Sequence, residues 1–523
     1  MTVSYEVLSG FFQKMTSTAE NNKRIAKNTA MLYIRMLLIM AVTLYTSRVV
    51  LEVLGVEDFG IYNVVGGVVA MMGVLNGAMA VSTQRYLTFE LGKGDDVRLK
   101  QTFSMCLTIY VLFAFILLLL AETIGLWFLN TQLNIPPERM IAAKYVYQFS
   151  ILSAIITLLC NPYNALIIAH EKMDVYAYAS IIEAGLKLVS AYILLWIPYD
   201  RLIVYGLAIM ATSMIVMSIY YFYCVRNFEE CRYTFYWEKG LFAQLLSYSG
   251  WNMFGAVSGL AKGQGLNVLL NMFFNPSVIA SRGIAFQVNG AVAQFFSNFY
   301  TAVRPQITKY YAQNDMENMF KLVFRSSKFS FYLILLISLP IIIETPYIIK
   351  LWLGQLPEYV VIFIRLIIVI TAVDAMATPL MTTAHATGRI KLYQSVVGTL
   401  TILNIPISYL FLKYGNNSPV IVFVISLCIS VIALFVRLWI VNRLMEFPVK
   451  SYIQEIFFHS LLVACLASVI PVFVHFYIST SFSNFCLVSV LCILSSLSCI
   501  CALGLNKSEK DFLIQIIQKK LNR

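Results

Sequence analysis

The sequence predicts an all-α, polytopic membrane protein of about fourteen transmembrane helices, with two pseudo-symmetric six-helix lobes and two extra C-terminal helices. Three observations support this fold class. Apolar runs long enough to cross a bilayer recur along the whole chain, the Lys and Arg residues between them fall on alternate sides, and the two halves of the chain resemble each other.

The apolar runs define the individual helices. Thr102–Ala121, Leu202–Val225 and Phe485–Leu505 contain no charged residue, and about 20 helical residues at 1.5 Å each cross a hydrocarbon core of ~30 Å. Because 59% of the residues are hydrophobic and only 12% are charged, a water-soluble fold could not cover the apolar surface. The expected spans are 28–54, 60–83, 102–129, 141–168, 177–197, 202–225, 243–272, 276–303, 322–345, 358–384, 392–412, 419–442, 454–476 and 485–505.

The basic residues between the spans predict the orientation. If the N-terminus is cytoplasmic, the inner segments hold 24 Lys and Arg residues and the outer segments hold four, namely Arg139, Arg201, Lys350 and Lys413. Short loops rich in Lys and Arg stay on the cytoplasmic side of a membrane. We therefore expect an even number of helices with both termini in the cytoplasm. The net charge of +12 then reflects topology and does not indicate nucleic-acid binding.

A weak internal repeat predicts the two lobes. At an offset of 220, Thr88 and Asp95 match Thr308 and Asp315. At an offset of 215, Ala169, His170, Tyr178 and Ser180 match Ala384, His385, Tyr393 and Ser395. These offsets correspond to six helices, which is an even number, so both halves enter the membrane in the same orientation. Two such lobes with a cavity between them form the layout of an alternating-access transporter.

The predicted organisation follows from the spans and the repeat. It comprises a cytoplasmic N-terminal segment (1–27), an N-lobe of helices 1–6 (28–225), a cytoplasmic linker (226–242), a C-lobe of helices 7–12 (243–442), helices 13–14 (454–505) and a cytoplasmic amphipathic tail (506–523). The tail ends in a basic amphipathic helix over 511–523, which we expect to lie on the inner leaflet.

The sequence lacks the features of several other function classes. No outer segment is long enough for the acceptor domain of a membrane glycosyltransferase or polymerase, and Gly92–Asp96 lacks the Lys-Ser/Thr ending of a phosphate loop. The ten cysteines lie almost entirely within spans and include no C-x-x-C pair, so we expect neither a metal nor a disulfide.

Two segments resemble a known family. Ser47–Tyr62, SRVVLEVLGVEDFGIY, is similar to the R-x-L-G-x-x-x-[YF]-G-[LI]-Y signature of bacterial polysaccharide flippases, although Arg48 stands farther from Leu54 than the signature arginine does. Asn161–Met173, NPYNALIIAHEKM, resembles the end of their fourth helix. The resemblance implies the multidrug, oligosaccharidyl-lipid and polysaccharide exporter (MATE-like) superfamily. Fourteen helices favour its polysaccharide branch over the drug-efflux branch, which usually has twelve.

The resemblance also implies a function. We expect a non-enzymatic flippase that moves undecaprenyl-pyrophosphate-linked oligosaccharide units, such as O-antigen units for lipopolysaccharide, across the bacterial inner membrane. Expected partners are the bilayer, this lipid-linked glycan, and the polysaccharide polymerase and chain-length machinery, and the protein itself would be a monomer. Two alternatives stay open: a cation-coupled multidrug exporter of the same superfamily, and a membrane glycosyltransferase or polymerase.

Cations within the spans are the candidate cargo ligands. Arg is the better pyrophosphate ligand because its planar fork donates two hydrogen bonds at once. Arg282 shares one face of its helix with Phe286 and Asn289, at i, i+4 and i+7. The predicted substrate-binding residues are Arg35, Lys262, Arg282, Asn289 and Arg365. A salt bridge to an acid on a neighbouring helix is the alternative role for Arg282.

The seventh span is the candidate moving element. Gly255, Gly259 and Gly263 form a small-residue stripe that favours close helix packing. Lys262 lies on a different face from the polar stripe that begins at Gln264, unless the helix bends near Gly263.

Two acids are candidates for ion coupling. Asp374 lies mid-span as a lone carboxylate that could carry H⁺ or Na⁺ during the return step. Glu183 lies four residues before Lys187, so a structural pair competes with a coupling role. We expect no other cofactor. Arg48, Lys144, Arg325, Lys328 and Arg437 lie near span ends and are expected to extend toward the membrane surface.

The orientation can be tested with cysteines introduced into single loops. We expect cysteines at Gln132 and Asn416 to react with a membrane-impermeant thiol reagent from outside, and cysteines at Gly94 and Asn314 to react only after permeabilisation. The protein without added cysteines measures the background from its native thiols. Labelling of Gly94 from outside would contradict the predicted orientation.

Overall fold

The computed structural model describes residues 2–70, 73–131, 135–196, 198–415, 418–478, 481–506 and 509–510. These residues form helices joined by short turns, and no strand occurs among them, so the all-α, multi-pass fold class is confirmed. The predicted amphipathic helix over 511–523 and the labelling positions Gln132 and Asn416 lie outside the described residues.

The first half of the chain forms seven α-helices. They are α1 (Thr2–Ala70), α2 (Gly73–Lys93), α3 (Asp96–Leu120), α4 (Leu126–Thr131), α5 (Met140–Ala169), α6 (Met173–Ile193) and α7 (Arg201–Asn227). A π-helical turn, Ala121–Gly125, joins α3 to α4, and 3-10 turns at Pro137–Arg139 and Glu229–Cys231 precede α5 and follow α7.

The second half continues the same pattern. Its helices are α8 (Lys239–Phe273), α9 (Pro276–Ala312), α10 (Met316–Ile343), α11 (Thr345–Leu353), α12 (Val360–Ala386), α13 (Lys391–Tyr414), α14 (Val420–Met445), α15 (Val449–Tyr452), α16 (His459–Tyr477) and α17 (Phe482–Cys499). π-helical turns at Ile453–Phe458 and Ile500–Gly504 precede α16 and follow α17.

Within the described residues, ten helical segments are long and apolar enough to cross a membrane. The other four predicted spans, 60–83, 177–197, 243–272 and 276–303, also fall on helices, apart from a turn at 194–196 and the residues outside the description. They are the more polar spans, because they carry glycine, amide and charged side chains. Lys187, Lys262 and Arg282 all lie on these helices, so the spans with the weakest apolar signal carry three of the intramembrane cations.

The internal repeat has a structural counterpart. Asp95 caps the start of α3 by accepting a hydrogen bond from the Arg98 N–H at 2.9 Å, and its match Asp315 directly precedes α10. His170 ends α5 and its match His385 lies in the last turn of α12. The matched residues therefore begin and end corresponding helices.

The chain divides into two compact units, each described here by itself. The N-terminal unit comprises Met1–Ala256 and Thr301–Asp315, and the C-terminal unit comprises Val257–Tyr300 and Met316–Arg523. Helices α8 and α9 each contribute to both units. The predicted lobes, 28–225 and 243–442, divide the chain by its repeat, and that division stays a prediction.

The N-terminal unit is built around α5. This helix packs along α7 and against α2 and α3, while α1 packs on α6. Aromatic side chains fill the core at one end, where Phe103 and Tyr163 meet with ring centroids 5.5 Å apart. Since lipid is as apolar as these side chains, close packing rather than water exclusion holds the helices together.

Charged residues tie the loops at one end of this unit. Arg139 donates from Nε to Asp58 at 2.8 Å and also pairs with Asp200, which caps the start of α7. Burial tends to raise the pKa of Asp200, but hydrogen bonds from Arg139 and from the N–H groups of Ile203 and Leu202 hold it below its usual value. The loops are therefore held by a permanently ionised network at neutral pH.

The first helix changes direction near this network. Gly55 has φ +79° and ψ 168°, which are not helical angles, so α1 is kinked there. Arg201 donates from Nη1 to the Val53 carbonyl at 3.1 Å and satisfies one of the acceptors that the kink frees.

The C-terminal unit is built around α12. This helix packs between α10 and α14, and α13 packs on α14. The two extra helices, α16 and α17, pack on each other and against α10, with Tyr332, Val463 and Cys492 in their shared core.

The π-helical turn after α3 allows a stability test. Tyr147 is buried and donates to the Ala121 carbonyl at 2.8 Å, and a Cβ at Gly125 would clash with its hydroxyl. We expect Gly125→Ala to lower the free energy of unfolding by about 1–3 kcal/mol because the buried ring cannot move aside. Thermal unfolding of the detergent-solubilised protein measures this loss.

Gly185→Ala is the matched control, since a Cβ there meets no atom within 4 Å. This control should unfold at or above the wild-type temperature. Equal melting of the Gly125→Ala and Gly185→Ala variants would contradict the proposed packing.

Candidate functional site

Arg282 lies near the start of α9 and packs against α8 within the C-terminal unit. It is buried, with 6% of its surface exposed. Nη1 donates to Asn267 Oδ1 at 2.7 Å, Nη2 donates to the Gly263 carbonyl at 2.9 Å, and the guanidinium lies 4.3 Å from the centre of the Phe286 ring. The predicted shared face of Arg282 and Phe286 is therefore present.

The partners of Arg282 are neutral. No carboxylate among the described residues pairs with it, so amide and carbonyl dipoles and an aromatic face stabilise its charge. The alternative of a salt bridge is therefore not found in the described part of the chain. A buried cation with neutral partners keeps its full attraction for an anion.

Asn289 is farther along the same helix. Its Oδ1 accepts a hydrogen bond from Thr371 Oγ1 at 2.6 Å, which links α9 to α12. Its amide oxygen is thus used within the protein, and its role toward a cargo stays a prediction.

Asp374 is not the lone carboxylate that the sequence suggested. Its Oδ1 accepts from Ser430 Oγ at 3.1 Å and lies 3.7 Å from Arg437 Nη1. Arg437 in turn donates from Nε to Tyr393 at 3.0 Å. The sequence could not show this pair because the two residues lie 63 positions apart on α12 and α14. Its coupling role stays a prediction, but the premise of an isolated acid was wrong.

Arg437 was also misplaced by the sequence reasoning. We expected it to extend toward the membrane surface, yet only 17% of its side chain is exposed and it points to α12 and α13. Lys328 is likewise buried, with its Nζ 2.6 Å from Glu509. Position along a helix alone could not tell these inward cations from outward ones.

Lys262 completes a group of charges in the C-terminal unit. It lies within electrostatic range of Asp374, Arg437 and Arg282. We call these four residues the cationic cluster: three cations and one acid in the described part of this unit. Its net positive charge suits an anionic ligand better than a cationic one.

The glycine stripe of α8 plays a different part from the one predicted. A Cβ at Gly259 or Gly263 would meet no atom within 4 Å, so neither supports a close helix contact here. Gly263 instead offers its carbonyl to Arg282, and Gly265 is the glycine that packs closely, against Ile405.

The other predicted site residues lie elsewhere. Arg365 donates from Nε to the Ile342 carbonyl at 2.9 Å, which caps the end of α10. Arg35 belongs to the N-terminal unit, where its guanidinium lies 4.3 Å from the Tyr176 ring. Glu183 accepts from Lys187 at 2.6 Å, so the predicted pair is present. Arg35 and Glu183 thus belong to the N-terminal unit, and Arg365 caps a helix of the C-terminal unit.

Sequence reasoning missed Glu171. Its side chain is fully buried, and it accepts from Lys309 Nζ at 2.6 Å, Arg24 Nε at 2.8 Å and Gln306 Nε2 at 2.5 Å. It has a left-handed φ of 61°, which is unusual for glutamate. The available signal was its place in the segment that resembles a flippase helix end. One carboxylate thereby joins α1, the α5–α6 turn and the end of α9.

The N-terminal unit contains a cavity of about 350 Å³ between α1, α2, α3, α5 and α7. Aromatic and aliphatic side chains dominate its lining, with a few amide and hydroxyl groups. The lining residues, all within the described part of the chain, are Tyr62, Gly66, Asn76, Met79, Phe113, Ile116, Leu117, Leu120, Phe149, Ser150, Ser153, Ala154, Thr157, Leu158, Gly206 and Ile209. None of them is charged.

Comparisons with known proteins identify the fold. No family model matches the chain, and no curated protein matches it. Among solved structures, an outward-facing multidrug resistance MATE family transporter of the MOP superfamily matches with a TM-score of 0.70 and 15% identity, covering 82% of this chain and 97% of its own. A MATE in complex with MaD3S matches with a TM-score of 0.68 and 14% identity, and the match covers 82% of this chain and 97% of that one.

A third match comes from Pyrococcus furiosus Vc1 (DSM3638). It is a MOP superfamily transporter whose reverse polarity of the binding pocket is said to suggest a different function. It has a TM-score of 0.66 and 15% identity, and the match covers 82% of this chain and 96% of that one. At such identities the likeness shows the fold alone. This chain therefore has the fold of these polytopic transporters, with additional residues beyond the shared part.

The Asp374–Arg437 contact can be tested by paired substitutions. If the pair is structural, Asp374→Asn leaves Arg437 uncompensated and should lower membrane abundance and melting temperature, and adding Arg437→Gln should restore both. Ser430→Ala, which removes only the hydroxyl partner, is the milder control. Membrane immunoblots and thermal unfolding measure these effects.

The coupling hypothesis predicts another pattern. If Asp374 carries an ion, Asp374→Asn should accumulate normally and stop transport. In that case the Arg437→Gln addition should not restore transport, whereas normal transport by Asp374→Asn would exclude the coupling role.

Proposed function

We propose that this protein is a flippase that moves a polyprenyl-pyrophosphate-linked oligosaccharide from the cytoplasmic to the periplasmic side of a bacterial inner membrane. Arg282 carries the proposal, because it is a buried arginine whose described partners are all neutral. Burying an uncompensated cation in a membrane protein is costly, so such a residue is a functional candidate.

The cationic cluster supports an anionic cargo. A pyrophosphate that leaves water must exchange its hydration for donors in the protein, and Lys262, Arg282 and Arg437 supply them. Asp374 limits the net charge of the cluster. A cargo can then be released, since binding that is too strong would stop the cycle.

The extra length also supports the polysaccharide branch. The match to the outward-facing MATE transporter covers nearly all of that chain but only 82% of this one. Helices α16 and α17 form a hairpin that packs on α10, as expected for two helices added to a twelve-helix transporter. The resemblance of Ser47–Tyr62 to the flippase signature supports the same branch.

Ion pairs at one helix end hold the N-terminal unit together. In the N-terminal unit, Glu171 binds Arg24 and Lys309, so the end of α9 is held on this unit by ion pairs.

A small-molecule exporter is the second candidate, and the apolar cavity in the N-terminal unit favours it. Its volume of about 350 Å³ is within the range of drug-binding pockets. However, its described lining contains no carboxylate to attract a cationic drug. The cation-rich C-terminal cluster is the reason why we propose the flippase.

The proposal predicts how Arg282 variants behave. Arg282→Ala should reduce export of the lipid-linked glycan about tenfold or more while the protein remains in the membrane, because a charged hydrogen-bond donor is lost. Arg282→Lys should restore export partly, since it keeps the charge and loses the planar fork. Surface polysaccharide, lipid-linked precursor retained inside, and membrane abundance are the measurements.

Lys144→Ala is the matched control, because Lys144 is an exposed cation in a span of the N-terminal unit. It should export normally. Full export by Arg282→Ala would remove this residue from the site. Unchanged export together with increased sensitivity to cationic drugs would favour the small-molecule exporter.

A further inference from the structure

The segment between α7 and α8 carries three exposed aromatic side chains. Residues Arg232–Glu238, here called the strap, are not helical. Tyr233, Phe235 and Trp237 alternate along it and have exposed fractions of 48%, 75% and 48%. Large exposed aromatic groups in a loop need a partner or an apolar medium.

The strap is fixed to α3 of the same unit. Arg98 donates to the Glu238 carboxylate from Nη1 at 2.6 Å and from Nη2 at 3.3 Å. Tyr236 donates to the same carboxylate at 2.6 Å. Hydrogen bonds from Arg98 and Tyr236 lower the pKa of Glu238 to about 2. The attachment therefore holds above that pH and would be lost only as the pH falls toward it.

Two further contacts place the strap along α3. The Thr234 N–H donates to Ser104 Oγ at 3.3 Å, and the hydroxyls of Tyr233 and Thr108 are 3.1 Å apart. Ser104 lies six residues beyond Arg98, which is about 9 Å farther along the helix axis. The segment Asp96–Thr131 is long and apolar enough to span a membrane. The strap therefore runs from the charged end of this span toward its apolar part.

A strap between the charged end and the apolar part of a membrane-spanning segment would lie at the membrane interface. Tyr and Trp are enriched where hydrocarbon meets the headgroups, because their rings are apolar and their polar atoms can stay hydrated. A protein partner in the water phase would meet the end of α3 rather than residues about 9 Å deeper.

Basic residues flank the aromatic ones. Arg232 and Lys239 are exposed, and neither has an acidic partner in the described part of the chain. Two exposed cations beside interfacial aromatic rings complement the phosphate groups of anionic lipids. By contrast, the turn at Gly94–Asp95, where α3 begins, has no aromatic residue.

We propose that the strap is a binding surface for anionic phospholipid, with Tyr233, Phe235 and Trp237 in the interface and Arg232 and Lys239 on the headgroups. The surface anchors the connection between α7 and α8 to the bilayer. It is independent of the cargo and of the direction of transport.

Trp237 provides the probe. The full-length protein is placed in nanodiscs of phosphatidylcholine containing a minor fraction of brominated lipid, and the fluorescence of a Trp237→Phe variant is subtracted from that of the parent. We expect the Trp237 signal to be quenched by brominated lipid and protected from aqueous iodide. Brominated phosphatidylglycerol should quench it more than brominated phosphatidylcholine, up to about fivefold for each basic residue.

Charge variants test whether the two basic residues bind lipid headgroups or whether Trp237 only lies close to lipid. The double variant Arg232→Gln, Lys239→Gln should lose the preference for phosphatidylglycerol and keep the quenching by phosphatidylcholine. A control pair of exposed basic residues elsewhere, Arg389→Gln in a turn with Lys450→Gln in α15, should keep the preference. Quenching of Trp237 by iodide but not by brominated lipid would overturn the proposal. Equal quenching of the parent protein by the two brominated lipids would show that the strap has no preference for an anionic headgroup, and would also overturn it.

Discussion

Hydrocarbon offers no hydrogen bonds, so every polar group on a membrane-spanning helix must find its partner within the protein or at the interface. This constraint accounts for several of the side-chain contacts that join helices within each unit. Lys328 pairs with Glu509, Arg365 caps the end of α10, and Tyr147 satisfies a carbonyl in the π-helical turn. Because apolar contacts scarcely distinguish protein from lipid, these polar contacts also define which helix faces meet.

The same constraint separates cations whose burial the fold explains from those whose burial it leaves unexplained. A cation with a carboxylate or a helix end as its partner is explained by the fold, whereas Arg282 binds only neutral groups and a ring. The fold is shared with multidrug transporters, and a fold alone does not determine a substrate. The cationic cluster of this chain holds three cations and one acid among the described residues, and this balance is why the proposal favours an anionic lipid-linked cargo.

The ends of the helices carry a different kind of interaction. In the N-terminal unit, Arg139 joins Asp58 to Asp200, Arg98 fixes the strap through Glu238, and Glu171 is bound by two cations. These pairs differ in exposure, because Arg98 and Glu238 are both partly exposed whereas the Glu171 side chain is fully buried. Separating the charges at Glu171 would therefore cost more than separating Arg98 from Glu238.

The sequence by itself determined the all-α fold class, the positions of the helices and the repeat, because hydropathy and turn residues act over short distances along the chain. The four-residue spacing of Arg282 and Phe286 also predicted that they share one helical face. Only the tertiary structure decided which charges meet. Asp374 looked isolated until α14 supplied Arg437, and Glu171 looked like a turn residue until α1 and α9 supplied its partners. Those partners are distant in sequence, and helical periodicity shows which face a residue occupies but not which helix packs against it.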